Sequence, residues 1–114
     1  MFHLFHQKTV IEAEADAFVS WFVSNSDRIK SSVENKDHDR NTMISVLDEV
    51  ELQLSKVYRD GYKGQIEFDY GGKNDDWCLN LYHKNNRFLM QATTMIANRF
   101  NQMDHCEWTV TTDV

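Results

Sequence analysis

The residue types able to do chemistry lie scattered along this chain. His3 and His6 have the spacing of paired metal ligands on a helix, but a site needs three or four ligands and no third stands near in sequence. Cys78 and His83 lie five positions apart in a segment that reads as a strand, so parity turns them to opposite faces and denies them a nucleophile–base contact. His105 and Cys106 fail by the same parity. A site uniting Cys78, Cys106 and a histidine across strands is weighed against buried cysteines acting as small hydrophobes, and the second reading is preferred. Asp75–Asp76 and the Glu67, Asp69 pair could do acid–base work only beside an apolar pocket that raises one pKa. Their setting in a turn and on an outward strand face favours solvated roles. Gly71-Gly72 is followed neither by Gly-Lys-Ser/Thr nor by a helix, which excludes a phosphate loop, and no serine sits in a G-x-S-x-G elbow. The expectation is a non-catalytic chain with no cofactor and no bound metal.

The elements that would position these residues are read from periodicity. In residues 77–82, Trp77, Leu79 and Leu81 alternate with smaller or polar residues, the period-2 mark of a half-buried strand. Lys84-Asn85-Asn86-Arg87 supplies a turn, because asparagine tolerates the left-handed backbone conformation. Leu89, Ala92, Thr93, Ile96, Phe100 and Met103 then fall at steps of three or four, predicting a helix that folds back onto the strand. Earlier, residues 65–70 place Ile66, Phe68 and Tyr70 on one side and Gln65, Glu67 and Asp69 on the other. Residues 71–75 read as the five-residue loop of an antiparallel hairpin. Near the end, Cys106, Trp108 and Val110 alternate with Glu107, Thr109 and Thr111 in a final strand.

Three helices are expected before the hairpin. The first spans residues 10–24, with Thr9 as N-cap, Glu12 completing a capping box, and a stripe of Ala13, Ala17, Phe18, Trp21 and Phe22. Asn25 or Ser26 caps a short second helix carrying Ile29 and Val33. Asp37, Asp39 and Asn41 compete to cap the third, whose seam is Met43, Leu47, Val50, Leu54 and Val57, widened by Ile44, Val46, Leu52 and Tyr58. Gly61 suits its C-terminal cap. Residues 1–8 could be an edge strand, a helix extension or a frayed end. The reading is one α+β domain over residues 1–114, with a three-stranded antiparallel sheet covered on one face by helices and the last strand beside residues 65–70.

The run Trp21-Phe22-Val23-Ser24-Asn25-Ser26-Asp27-Arg28-Ile29 resembles the opening of an uncharacterised bacterial domain family whose members begin Trp-Phe-x-x-Asn-x-x-x-Ile. Leu79-Asn80-Leu81 with Asn85-Asn86, the helix around residues 88–100 and Trp108 continue the resemblance in order. It implies a single α+β domain and carries over no catalytic residue.

With 114 residues, 41% of them hydrophobic, the chain can fill one core and not two. A net charge of −6 opposes binding to a nucleic-acid backbone, which needs a surplus of lysine and arginine. Two cysteines are too few for a disulfide framework and no leader or membrane-spanning run is read, so a cytoplasmic location away from membranes is expected. The surface opposite the core, made by Glu67, Asp69, Asn80, Tyr82, Glu107 and Thr109, is the expected contact face for a protein partner or a second copy of the chain, with Tyr82 near its centre. A sharper form is an immunity-type inhibitor of a basic toxin. The alternative is a small-molecule binder or enzyme with a pocket between helices and sheet, using Tyr82, His83, Cys78 or His105 as polar contacts.

Overall fold

The fold, taken from a computed structural model that describes residues 12–58, 67–73, 76–104 and 106–113, is α+β. Its elements run α1 (Glu12–Ser24), α2 (Ser26–Glu34), α3 (Arg40–Tyr58), β1 (Glu67–Lys73), β2 (Asp76–Tyr82), α4 (Arg87–Asn101) and β3 (Trp108–Asp113). The expected order of helices, hairpin, helix and strand is what the structure has. The cap at Thr9, the stop at Gly61 and the contributions of Gln65 and Ile66 lie outside the described residues.

The sheet differs from expectation in its order, in the direction of its last strand and in the length of its hairpin loop. Its order is β1-β2-β3, so the last strand lies beside β2 and not beside β1. β3 runs parallel to β2, from Trp77 opposite Trp108 to Tyr82 opposite Asp113, and the sheet is therefore mixed. A parallel neighbour requires a crossover, and α4 provides it by carrying the chain from the end of β2 back to the start of β3. The hairpin is also tighter than read from sequence. Gly71, Gly72 and Lys73 belong to β1 and pair with Cys78, Trp77 and Asp76, leaving only residues 74 and 75 between the strands. Glycine lacks a side chain, not ladder groups, and so can continue a strand wherever its neighbours supply the packing.

Alternation on the strands decides what is buried. Leu79 and Leu81 are fully buried, and Trp77, Trp108 and Val110 nearly so, while Phe68 and Tyr70 are half-buried on the same face. Against them lie Phe88, Leu89, Ala92, Ile96 and Phe100 of α4 and Ala15, Phe18, Val19 and Phe22 of α1. An aromatic chain ties the layers: Phe22 meets Trp108 edge-on at 4.8 Å and Phe100 at 5.7 Å, and Trp77 lies 5.5 Å from Trp108. Such pairs each add about 0.5–1.5 kcal/mol beyond the area they bury.

On α1 the buried stripe is Ala15, Phe18, Val19 and Phe22; Ala13 and Ala17 are exposed and Trp21 half-buried. Alanines stand on two sides of this helix, and the side with the larger neighbours faces inward because it removes more apolar area from water. On α3 the seam is buried at Val46, Val50, Leu54, Val57 and Tyr58, whereas Ile44, Leu47 and Leu52 are exposed and Met43 half-buried. The buried residues recur at steps of three or four along one side of α3, and Ile44 and Leu52 stand off that side.

The caps follow the chemistry of their side chains. Asp39 is the acceptor at the start of α3, taking the Thr42 N–H at 3.1 Å and the Thr42 hydroxyl at 2.6 Å. These bonds hold the Asp39 carboxyl below the usual carboxylate range. Asn25 stands at the N-cap of α2 without a capping side-chain bond; its amide instead donates to the Trp21 carbonyl at 2.8 Å. Asn86 caps α4 by accepting the Leu89 N–H at 3.1 Å. Before it, Lys84 and Asn85 adopt φ of 51° and 60°, the left-handed turn that the asparagines foretold.

Candidate interaction surface

The β2 residues with the opposite parity to Leu79 build the other face of the sheet, which no helix covers among the described residues. There Asp69 of β1 lies beside Asn80 of β2, and Asn80 beside Thr111 of β3. The side chains repeat the backbone pairing. Asn80 donates its amide to one oxygen of Asp69 at 2.6 Å, the Tyr82 hydroxyl donates to the other at 2.6 Å, and the Thr111 hydroxyl donates to the Asn80 carbonyl oxygen. Four polar residues on three strands thus hold one another in place. Asp69 and Thr111 remain exposed, and Asn80 and Tyr82 are half-buried by their neighbours. Cross-strand pairs of this kind fix register, and each contributes about 0.2–1 kcal/mol.

Of the residues expected on this face, Asp69, Asn80 and Tyr82 are brought into direct contact. Thr109 is exposed beside Cys78, its partner in the parallel ladder. Glu67 pairs with Tyr82 through the β1 backbone, and its side chain lies outside the described part of the structure. Glu107 is engaged elsewhere: it precedes β3 and forms an ion pair with Lys30 of α2. Thr111, which the sequence reading placed on the face without a role, closes the network. The signal for it was available, since it shares the parity of Thr109 in a strand with Trp108 and Val110 turned inward.

The candidate chemical residues are dispersed. His3, His6, Asp75 and His105 lie outside the described residues. Cys78 is half-buried on the outer sheet face, and both cysteines are free thiols. The Cys106 thiol points to the Trp108 carbonyl at 3.5 Å. His83 follows β2, and its Nδ1 accepts the Asn85 N–H at 3.1 Å, which makes it a brace for the left-handed turn. Among the described residues no three His, Cys, Asp or Glu side chains gather as a metal site. No helix among them is long and apolar enough to cross a membrane.

The helices offer concave surface away from Tyr82, His83 and Cys78. A cavity of about 320 Å³ lies between α2 and the start of α3, bordered by Arg28, Ser32, Asn35, His38 and Thr42. Arg28 spans from α2 to α3 with a two-pronged contact to Glu49, 2.8 Å at each prong, and also donates to Asn25 at 2.9 Å. The contact holds the Glu49 carboxyl below its ordinary range, chiefly through the Arg28 hydrogen bonds. Nearby, burial raises the Tyr70 phenol; Ser32, whose own hydroxyl donates to the Ile29 carbonyl at 2.7 Å, and the Arg28 charge act against it.

The end of the sheet bearing the tryptophans is closed by α2. Trp108 Nε1 donates to the Ser26 hydroxyl at 2.8 Å, and Lys30 stands over the Trp77 ring at 5.9 Å while its ammonium meets Glu107. Two indoles 5% exposed and engaged in this way are core residues. Comparison of this chain with protein-family models, curated proteins and solved structures finds no match.

Proposed function

We propose that the chain is a protein-interaction module whose outer sheet face binds a basic protein partner, and that its most specific form is an immunity-type inhibitor of a basic toxin. The observation that carries this reading is the network joining Asp69, Asn80, Tyr82 and Thr111. A face whose polar side chains are already held loses little further rotamer freedom on binding, and that is where much of the cost of association lies. Tyr82 supplies a rigid aromatic anchor and Asp69 an exposed carboxylate. The net charge of −6 favours a cationic partner and speeds encounter with it. Membership in the bacterial family with the Trp-Phe-x-x-Asn-x-x-x-Ile opening, and action in the cytoplasm, belong to the same proposal.

The test is co-expression with basic proteins encoded beside this chain, scored by growth protection and by recovery of a complex of defined mass. A complex weakened at least about tenfold by Asp69→Arg supports the proposal, since reversing a contact charge costs on the order of 1.4 kcal/mol or more. The reading falls if no neighbour is bound or neutralised. A solution mass of twice the chain, abolished by Asp69→Arg, would replace the foreign partner with a second copy.

A further inference from the structure

Two cavities of about 250 and 360 Å³ adjoin, sharing Val23, Ser24 and Met103. Together they form a groove that starts between α1 and α4 and ends at the approach to β3. We propose that this groove docks a cationic-amphipathic segment of a protein partner, seating a bulky apolar side chain between basic ones. It is a different surface from the sheet face and stands whether or not that face binds anything.

The floor argues for the apolar part of the ligand. Val23 is 38% exposed at the end of α1, an aliphatic side chain facing water on a helix whose inner stripe is already filled. Met103 is half-buried opposite it, and the edge of Trp108 and the Cys106 thiol continue the floor toward β3. A methionine beside an aromatic edge adapts to side chains of different shape. A ligand side chain seated here gains in proportion to the apolar area it removes from water.

The rim argues for the charge. Asp16 stands at one end, and Asp27, Asp104 and Glu107 at the other. Arg99 pairs with Asp16 at 2.6 Å and with Glu12 at 2.8 Å, and Lys30 pairs with Glu107, so five carboxylates face two cations around the groove. Half of the chain's net charge of −6 is concentrated there. The carboxylates of Asp27 and Asp104 make no ion pair or hydrogen bond among the described residues. Unpaired carboxylates flanking an apolar trough match lysine or arginine on either side of a leucine or phenylalanine, and they repel an acidic segment.

The experiment uses the full chain and a fluorescein-labelled peptide with a Leu-Phe pair flanked on each side by two lysines, read by fluorescence anisotropy. Binding should weaken at least about tenfold in Asp27→Lys/Asp104→Lys, and by a similar factor when serines replace the Leu-Phe pair or glutamates the lysines. In the unaltered chain, the Met103 methyl and Trp108 indole N–H signals should shift on titration, which keeps the test decisive if a variant unfolds. Asp69→Arg should leave peptide affinity unchanged, separating this groove from the sheet face. The proposal is overturned by absent binding, by equal binding of the serine peptide, or by shifts that appear at Asn80 and Thr111 instead.

Discussion

The two faces of one sheet, built from alternate residues of the same strands, are held by different forces. Inside, Trp77, Leu79, Leu81, Trp108 and Val110 are 0–7% exposed and bound by area and ring contact. Outside, Asp69, Asn80, Tyr82 and Thr111 are bound by directed hydrogen bonds and remain in contact with water. A change on the inner face leaves a cavity in the core, whereas a change on the outer face breaks hydrogen bonds that water can replace. Packing of apolar area and a lattice of side-chain hydrogen bonds therefore lie on opposite sides of a single layer one residue thick.

The sharpest contrast sets Trp108 against its neighbour. Trp108→Ala should cost about 3–5 kcal/mol of unfolding free energy, because it empties a site lined by Phe22 and Trp77, while Thr109→Ala should change it by no more than about 0.5 kcal/mol. Urea denaturation of both variants checks this, and equal losses would abolish the distinction between the faces. Ser26→Ala leaves the Trp108 Nε1 proton without its acceptor and should cost about 1–3 kcal/mol, with a shift in indole fluorescence. On the outer face Asn80→Ala breaks two bonds of the network yet should cost only about 0.5–1.5 kcal/mol, since water replaces them.

The acid side gives a smaller effect. Glu49 is held below its ordinary pKa, so its contribution is complete above the pKa it has in the unfolded chain and is lost as pH falls through the depressed folded value. Because the pair with Arg28 is exposed, this amounts to at most about 1 kcal/mol; Glu49→Gln should flatten the stability profile on the acid limb by that much. The smallest change should be Tyr58→Phe. Among the described residues the buried Tyr58 hydroxyl meets no hydrogen-bond partner, and burial raises its pKa, so its removal should leave the melting temperature unchanged or slightly higher. A clear loss would reveal a partner for that hydroxyl.

Much of this arrangement was legible in the sequence where the determinant is local. Parity in residues 77–82 places Trp77, Leu79 and Leu81 inward, and the asparagines after Lys84 mark a left-handed turn and the cap of α4. The same parity located Asp69, Asn80 and Tyr82 on the outer face. What escaped is decided between distant residues. Nothing in β3 itself says whether it lies beside β1 or β2, since either neighbour would bury Trp108 and Val110. Gly71-Gly72 reads as turn because its conformational freedom is visible and its ladder bonds are not. Glu107 was assigned by parity to the outer face, and only the proximity of Lys30, remote in sequence, draws it to α2. The groove at Val23 and Met103 was invisible for the same reason, since it exists only where α1 crosses α4.

The parallel seating of β3 sets the order in which the protein can be completed during synthesis. The hairpin of β1 and β2 is adjacent in sequence and can form as it leaves the ribosome, but one long edge of β2 stays open until α4 has emerged and residue 113 has followed it. For that interval Trp77, Leu79 and Leu81 lack their lateral neighbour, and the nascent chain is at its most vulnerable to pairing with the wrong strand.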